Sequence, residues 1–328
     1  MSKLVTIFGG SGFVGRYIAR RLAKDGWRVR VAVRRPNEAM FVRTYGVVGQ
    51  VEPVFCNIRD DQSVRDVTHG ADAVINCVGT FDARGKNNFD AIQAEGATRI
   101  AMIAAELGVA RMVHISAIGA DPDANSAYSR TKAEGEAGVL KHMPGAMILR
   151  PSVVFGAEDQ FFNRFAAMAR TMPVLPLFGG GTLFQPVFVD DVAAAAQIGA
   201  NGGAAGGVYE LGGPDVDSLR GLVQQMLGVI QRRRLIVNNP LWTGRILAAL
   251  LDFTQLVTLG LVSNTTLTRD QVKQLAVDNV VSDGAKGFAD LGIDPIATEA
   301  VLPDYLWPYR PSGQYAAIKD SARGLRAH

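Results

Sequence analysis

The stretch FGGSGFVGR, residues 8–16, constrains the fold of this chain more than any other. It follows the apolar run KLVTIFG and opens the helical pattern GFVGRYIARRLAKDG. Gly9, Gly12 and Gly15 stand three apart, and Gly10 completes a GxGxxG pattern with the latter two. Such glycines allow a tight turn and let the backbone approach a pyrophosphate, which the N–H groups at a helix N-terminus then bind. With strand, turn and helix in this order, the stretch predicts a dinucleotide-binding unit.

The first 150 or so residues alternate strand and helix patterns. Beyond the first strand, the apolar runs RVRVAVR, VEPVFCN, DAVINCVG, RMVHISAIG and AMILRPSVVFG predict five more. Alternation of this kind is typical of a parallel sheet with right-handed crossovers and helices on both faces. The expected fold class is therefore α/β, a doubly wound parallel Rossmann sheet with a smaller, mostly helical C-terminal cap.

The pattern becomes irregular after Gly156. FQPVFVDDVAAAAQIGA predicts a short strand and a helix, with Asp190 or Asp191 near the helix start, and GGVYELGGP predicts another strand. We expect a Rossmann dinucleotide-binding domain at residues 1–156. Residues 157–328 are expected to form a cap or interaction region that shares some strands with the Rossmann core.

The composition excludes some classes of function. The formal net charge is only +3, so no nucleic-acid partner is expected. The two cysteines, Cys56 and Cys77, lie in strand patterns without CxxC or metal-ligand spacing. They suit buried thiols in a reducing compartment, and no metal site is predicted.

The N-terminal residues SKLVTIFGG lead straight into a strand pattern, without a targeting segment. A bacterial protein is therefore expected, and a processed organelle protein stays an alternative. The longest apolar run, ILAALLDFTQLVTLGLV, contains Asp252 and Gln255. It falls short of a clean bilayer span, so no transmembrane helix is predicted.

Two arginines at the end of the second predicted strand indicate which dinucleotide is preferred. An NAD site usually carries an acidic residue about 20 residues beyond the glycines, to bind the ribose 2′-hydroxyl. Here that place holds Arg34 and Arg35, and Arg16 directly follows Gly15. Arginine pairs bidentately with phosphate and stacks on flat rings, so the arginines favour NADP(H). The alternative is that they are solvated surface charges.

The loops after the other strands complete the expected contacts. Asn57 and Ile58 follow the third strand and would flank the adenine. Val78, Gly79 and Thr80 follow the fourth and would approach the central part of the nucleotide. The predicted cofactor contacts of the sheet are thus Gly9, Gly10, Ser11, Gly12, Phe13, Val14, Gly15, Arg16, Arg34, Arg35, Asn57, Ile58, Val78, Gly79 and Thr80.

Tyr128 and Lys132 in SAYSRTK stand four apart and share one face of a predicted helix. Lys132 would bind the nicotinamide ribose, and its charge would activate Tyr128 as a general acid for a carbonyl reduced by hydride. Ser116, on the preceding strand, is the candidate third member, although a strand-end hydroxyl commonly bonds local backbone. A nucleotide clamp without turnover needs the same pair, so both alternatives stay open. His114 is expected to be a core histidine with its hydrogen bonds satisfied.

By its motifs GGSGFVG, YSRTK and ILRPSVVFG, the first part of the chain resembles an atypical or extended short-chain dehydrogenase/reductase. The blocks LRPSVVFGAEDQFFNRFA, FQPVFVDDVA, LTRDQVKQLAVDNVVSDGAKGFADLGI and LPDYLWPYRPSGQY narrow the resemblance. Over nearly its whole length the chain is similar to the nucleotide-binding accessory subunits of respiratory complex I, NADH:ubiquinone oxidoreductase.

This resemblance implies a subunit of the peripheral arm, near the membrane and the quinone site, with other complex I subunits as partners. It implies tightly bound NADPH without hydride transfer to a substrate. The contacts carried over are Gly9, Gly12, Phe13, Val14, Gly15, Arg34, Arg35, Tyr128 and Lys132. The implied location is peripheral, on the cytoplasmic side of a bacterial inner membrane or on the matrix side in an organelle. A soluble NADP-dependent reductase or epimerase using Tyr128 and Lys132, and a ubiquinone-biosynthesis or assembly factor, are the alternatives.

Residues 232–262 are a candidate contact with a lipid surface. In LWTGRILAALLDFTQLVTLGLV, Arg245, Asp252 and Gln255 fall along one narrow stripe of an otherwise apolar helical pattern. The run Arg232–Arg233–Arg234 just before it suits anionic head groups. The same segment also fits the core of the cap with a solvated basic run, and the two alternatives stay open.

Overall fold

The structure is a computed structural model that describes residues 2–80, 85–243 and 269–315. The predicted apolar helix over residues 246–262, with Arg245, Asp252 and Gln255, therefore lies outside the described residues. Within the described ranges, no helix is both long enough and apolar enough to span a bilayer.

The chain divides into two compact units. The first comprises Met1–Ser152, Val189–Gly212 and Val281–Pro295, and the second comprises Val153–Phe188, Gly213–Val280 and Ile296–His328. Two later segments thus return to the first unit. A two-domain division at residue 156 stays a prediction.

The strands, in chain order, are β1 (Leu4–Phe8), β2 (Arg28–Val33), β3 (Val51–Phe55), β4 (Ala73–Asn76), β5 (Arg111–Ile115), β6 (Met147–Pro151), β7 (Val154–Phe155), β8 (Val174–Phe178), β9 (Leu183–Phe184), β10 (Val187–Phe188), β11 (Gly207–Leu211), β12 (Asp217–Ser218) and β13 (Leu235–Asn239). The α-helices are α1 (Phe13–Lys24), α2 (Asp61–Thr68), α3 (Glu95–Glu106), α4 (Ala127–His142), α5 (Phe162–Thr171), α6 (Val189–Asn201), α7 (Leu219–Val229), α8 (Arg269–Gln274) and α9 (Thr298–Leu306). A 3₁₀ helix spans Pro36–Tyr45, and a π-helical turn, Asp90–Ala94, leads into α3.

The first unit is built on a parallel sheet of seven strands in the order β11-β6-β5-β4-β1-β2-β3. The strand order reverses between β1 and β4, and a crevice at the carboxyl ends of the strands is where such folds bind ligands. All six strands predicted in the first part of the chain are present. GGVYELGGP supplies the seventh strand, β11, beside β6.

Helices cover both faces of this sheet. Phe8, Val74, Met112 and Ile148 belong to one buried cluster with residues of α2, α3 and α4. On the other face lies α6, because a side chain at Gly199 would meet Val113 and Met147. All four residues of β4 are buried, and because both faces of the sheet are covered, three of the four are apolar. The predicted doubly wound Rossmann fold is confirmed.

AMILRPSVVFG, predicted as one strand, is divided between the two units. Its first half forms β6 in the seven-stranded sheet. Its second half forms β7, which pairs with β10 in the second unit. The break falls at Ser152, whose backbone N–H donates to Leu211 O on β11, before Val153 starts the second unit.

The second unit has its own apolar core among α5, α7 and α9, with Phe155, Phe162, Leu175 and Met226 among its fully buried members. Besides β7 with β10, it contains the two-stranded pairs β9 with β12 and β8 with β13. Asp159 accepts a hydrogen bond from the Tyr305 hydroxyl, and Asn163 accepts one from Tyr309. The two sequence blocks EDQFFNRF and LPDYLWPYRP thus meet side chain to side chain.

Candidate nucleotide-binding site

The glycine loop joins β1 to α1 at the carboxyl end of the sheet. Gly9 has a left-handed φ of 73°, a conformation that costs a side-chain-bearing residue about 1–2 kcal/mol. Its N–H donates to Ala32 O on β2 at 3.0 Å, and Gly12 N–H donates back to Gly9 O at 2.9 Å. The hydrogen bond from Gly12 to Gly9 closes the turn, and α1 begins directly after it at Phe13. Ser11 lies within the turn, and Val14 is the second residue of the helix.

Gly12 and Gly15 are required for different reasons. A Cβ on Gly15 would collide with Gly9 O and with the Gly10 Cα, so the loop and helix can pack only around a glycine there. Gly12 has an ordinary φ of −69°, and a Cβ there would meet only Gly9 O, at 3.1 Å. Protein packing thus leaves space beside Gly12.

The N-terminus of α1 faces this space. Among the described residues no side chain caps the helix, and no acidic residue lies in its first turn. The first N–H groups of a helix lack partners within it, and the helix dipole favours an anion there. The loop therefore fits the pyrophosphate of a dinucleotide.

Arg16 lies folded over the loop. Its Nε donates to Gly12 O at 3.3 Å, and its Nη2 donates to Ser11 O at 3.1 Å. The guanidinium lies 5.0 Å above the ring centroid of Phe41, on the 3₁₀ helix after β2. Arg16 is thus held at the loop by both backbone and aromatic contacts.

Arg34 and Arg35 follow β2 and are both exposed. Arg35 Nη1 lies 3.1 Å from Glu38 Oε1, in an ion pair whose members are 76% and 68% exposed. Glu38 lies in the 3₁₀ helix Pro36–Tyr45, three residues beyond Arg35, and not at the end of β2 itself. Solvent screens such a pair, so Arg35 remains able to take another anion.

Asn57 and Ile58 follow β3, as predicted. Asn57 N–H donates to the Ser63 hydroxyl at 2.9 Å, which fastens the loop to α2. Ile58 is buried in the core beneath α3, where its side chain would meet any Cβ added at Gly96. Of the two, Asn57 is partly exposed and Ile58 is buried.

The loop after β4 is held by two buried polar side chains. Asn76 Oδ1 accepts from Val78 N–H at 3.0 Å, and Gln93 Nε2 donates to Thr80 O at 2.7 Å. Gly79 lies between these anchors, and a Cβ there would be 3.9 Å from Lys132 Nζ. This loop therefore comes close to the lysine of α4.

Lys132 is only 5% exposed, and its Nζ donates to Ile115 O at 3.1 Å. Burial lowers the pKa of Lys132 to about 8, although the negative charge of Glu136 opposes the shift. The ammonium lies 6.0 Å from the ring centroid of Tyr128, one helical turn earlier. The Tyr128 ring also packs edge-on against Phe89 at 5.9 Å. The predicted Tyr–Lys pair is thus on one face of α4.

Ser116 and His114 lie on β5 and its carboxyl end, two residues apart, so their side chains point to the same face of the sheet. The Ser116 hydroxyl is buried and has no hydrogen-bond partner among the described residues. The alternative that this hydroxyl bonds the local backbone, as strand-end serines commonly do, is therefore wrong for the described residues. A buried polar group without a partner suits a site that awaits a ligand group.

His114 is buried as expected, but only one of its two ring nitrogens has a hydrogen-bond partner among the described residues. Because Asn76 Oδ1 accepts from Val78, the Asn76 amide nitrogen faces His114 Nδ1, at 3.1 Å. Nδ1 must then accept, so Nε2 carries the proton, and it has no partner among the described residues. Burial and the charge of Lys132 lower the pKa of His114 to about 3, so the ring stays neutral.

Three residues that organise this region were not singled out from the sequence. Asn76 is the polar residue in the apolar strand DAVINCVG, and Gln93 interrupts the helical run FDAIQAEGATRI. Gln93 also accepts from Thr131 on α4 at 3.0 Å, so it couples that helix to the loop after β4. Glu136 binds Arg150 with both carboxylate oxygens. A polar residue inside an apolar pattern is the signal that would have found the first two.

The arrangement has a place for each part of a dinucleotide: helix donors for an anion, arginines at one end, and a lysine, tyrosine and serine at the other. No cluster of side chains able to hold a metal occurs in the part of the chain that is described. The fold and these residues together define a Rossmann-type dinucleotide-binding protein.

Comparison with known proteins places the chain more closely. The profile of the NAD dependent epimerase/dehydratase family matches residues 5–212. The chain is 35% identical over 316 residues to NADH dehydrogenase (ubiquinone) 1 alpha subcomplex subunit 9, mitochondrial, of Arabidopsis thaliana, which covers 94% of this chain and 79% of that protein. It is 31% identical over 304 residues to the protein of the same name from Rattus norvegicus, with 90% and 78% covered.

A solved structure agrees on the fold. The crystal structure of the Bordetella bronchiseptica enzyme WbmH in complex with NAD+ aligns with a TM-score of 0.63 at 18% identity, over 85% of this chain and 97% of that one. The chain belongs to the NAD dependent epimerase/dehydratase family and, within it, to the accessory subunits of complex I known as alpha subcomplex subunit 9. The resemblance found from the motifs is confirmed, and membership of an NAD dependent family supports the binding of a nucleotide cofactor.

Proposed function

We propose that this chain is a non-catalytic NADP(H)-binding accessory subunit of NADH:ubiquinone oxidoreductase. It stabilises or assembles the peripheral arm near the membrane and the quinone site, in contact with other complex I subunits. The observation that carries the proposal is the similarity to complex I subunits over nine-tenths or more of this chain. An open anion cradle at Gly12 stands in the same chain.

The nucleotide acts as a structural ligand in this proposal. The N–H groups at the start of α1 bind the pyrophosphate, and Lys132 binds the hydroxyls of the nicotinamide ribose. Arg16, Arg34 and Arg35 bind the 2′-phosphate, which favours NADPH over NADH. A ligand that binds only the folded state stabilises it by mass action, so the subunit is held together when the nucleotide is present.

The proposed location is peripheral, on the side of the inner membrane that carries the peripheral arm: the cytoplasmic side in a bacterium or the matrix side in an organelle. Residues 232–262 are proposed to contact the lipid surface. Arg232, Arg233 and Arg234 support this contact within the described residues, and residues 244–262 lie outside them.

A reductase is the second candidate function, and one observation favours it. The Ser116 hydroxyl, just past the end of β5, is buried and has no partner in the described part of the chain, while α4 carries Tyr128 and Lys132. When bound, the nicotinamide would supply a hydride, and these side chains would bind and protonate a carbonyl oxygen. The same three residues equally suit a clamp on the ribose.

Gly12→Asp tests the structural role of the nucleotide. The new carboxylate would occupy the cradle and repel the pyrophosphate, so we expect loss of bound nucleotide, a lower melting temperature and depletion from the complex on size separation of mildly solubilised membranes. Gly145→Asp is the matched control, because a side chain there meets nothing within 4 Å. Normal abundance in the complex without bound nucleotide would contradict the proposal.

Tyr128→Phe separates the two candidate functions. Lys132 and Ser116 remain in this variant to hold the ribose, so NADH:quinone activity of the membranes and nucleotide content should stay unchanged. If turnover with a carbonyl substrate is lost while the nucleotide stays bound, Tyr128 is a catalytic acid and the chain is an enzyme.

A further inference from the structure

A cavity of about 700 Å³ lies wholly within the second unit. One wall is a face of α7 that carries Arg220, Gln224 and Leu227, at spacings of four and three that place them on one side of a helix. The opposite wall is the segment Arg232–Ile236, which leads into β13. Nothing in the nucleotide site contributes to this lining.

The turn between the two walls is the C-terminal cap of α7. Gln231 has a φ of 54°, and it is the one residue other than glycine with a positive φ in the described ranges. This left-handed conformation reverses the chain after α7, so that the three consecutive arginines come back over the helix face. Gln231 N–H donates to Gly228 O and Arg232 N–H donates to Leu227 O, each at 3.1 Å, which is the hydrogen-bond pattern of a left-handed cap at a helix C-terminus.

The lining carries four arginines and no acidic residue. Arg232 Nε donates to Tyr309 O and Arg234 Nε donates to Ala169 O, each at 2.7 Å, so these two are fixed in place. The side chains of Arg220 and Arg233 are exposed and make no hydrogen bond or ion pair within the described residues. Uncompensated positive charge at one place attracts an anion, and guanidinium groups bind phosphate oxygens in pairs.

An apolar strip continues from the arginines. Leu235 and Val237 alternate along β13 and are 64% and 38% exposed, and their neighbour Val174 on β8 is 37% exposed. Ile236, between them, packs on the core of the unit. The strand pair β8–β13 therefore presents a small apolar outer face beside the basic cavity, which suits the apolar chain of a ligand.

We propose that this cavity binds a phosphate group carried on an apolar chain, the chemistry of an anionic phospholipid. The arginines hold the phosphate, and the acyl chain follows Leu235 and Val237 along β13. The inference deepens the lipid contact proposed above and rests on it, but it needs neither bound nucleotide nor the other subunits.

Binding of soluble short-chain lipid to the full chain tests the proposal. Dihexanoyl-phosphatidylglycerol is titrated by calorimetry, with inorganic phosphate as the head-group-only arm. We expect Arg220→Gln/Arg233→Gln to weaken lipid binding at least about tenfold, since each arginine loses charge-assisted hydrogen bonds. Arg20→Gln/Arg28→Gln is the control of equal charge change, on exposed residues of the first unit, and it should bind normally. Leu235→Ser should weaken lipid binding but leave phosphate binding unchanged.

Three outcomes would overturn the assignment. Equal affinity for inorganic phosphate would make this a free-phosphate site, and equal losses in the control pair would make the attraction merely one of net charge. The third is flotation with phosphatidylglycerol vesicles that survives Arg220→Gln/Arg233→Gln. In that case the lipid contact proposed above stands, and the cavity is not its site. Melting curves of each variant show whether it is folded.

Discussion

The two ends of the candidate nucleotide site differ in their access to solvent. At the end expected to hold the nicotinamide, Lys132, Ser116 and His114 are 5%, 4% and 1% exposed. At the adenosine end, Arg35 and its partner Glu38 are more than two-thirds exposed. Buried polar groups interact strongly and are costly to leave unpaired, whereas exposed charges are screened. Affinity should therefore depend mainly on the buried end, and the choice between NADP(H) and NAD(H) on the exposed end.

Lys132→Met tests the buried end and should have the largest effect. It removes a charged donor to the ribose, which is worth roughly 1.5–3 kcal/mol, so NADPH should bind roughly 10- to 150-fold more weakly. Since burial lowers the pKa of Lys132, the folded protein holds this charge less well than the unfolded chain does. The melting temperature without nucleotide should therefore not fall.

Lys141→Met is the matched control for this change, because Lys141 is an exposed lysine on the same helix. It should leave both NADPH affinity and stability unchanged. Normal NADPH affinity in Lys132→Met, together with a lower melting temperature, would show that Lys132 serves the fold and not the ligand.

The pH dependence sharpens the same comparison. Lys132 has a pKa of about 8 in the folded protein, against an ordinary value of 10.5. Between these values the unfolded chain binds more protons, so stability without nucleotide should rise with pH there. NADPH binding should instead weaken above about pH 8, as the folded lysine loses its charge. Titration calorimetry from pH 6.5 to 9.5 measures the second trend, and Lys132→Met should abolish both.

Local sequence patterns predicted the fold well because each strand and helix carries its own signal. The glycines beside β1 and the Tyr–Lys spacing on α4 are local in the same way. Contacts between distant segments carried no pattern. Residues 281–295 belong to the first unit, where Ser282 N–H donates to the Glu210 carboxylate and Glu210 N–H donates to Lys286 O. Residues 282 and 286 take part through backbone groups, which do not depend on the side chain, so no sequence pattern predicts these contacts. Asn76 and Gln93 hold the loop after β4 by hydrogen bonds to its backbone, and these contacts can be seen only in the folded structure.

Arg34→Ala/Arg35→Ala tests the exposed end. If these arginines bind the 2′-phosphate, NADPH affinity should fall roughly tenfold while NADH affinity changes little, since NADH lacks that phosphate. Salt should weaken NADPH binding to the parent protein more than to the variant, because these charges are exposed. Equal losses for both nucleotides would contradict the assignment of NADPH and leave the arginines as surface charges.

Glu38→Gln should have the smallest effect. It tests whether Glu38 lowers the affinity of the adenosine end for NADPH. Glu38 lies 3.1 Å from Arg35 and competes with a 2′-phosphate for its guanidinium. An exposed ion pair is worth roughly 0.2–1 kcal/mol, so NADPH affinity should rise by no more than about fivefold. NADH affinity should stay unchanged, and Glu52→Gln, which loses the exposed pair with Arg43, is the control. A gain in NADH affinity instead would mean that Glu38 faces the adenosine ribose of either nucleotide, and the preference for NADPH would then need another source.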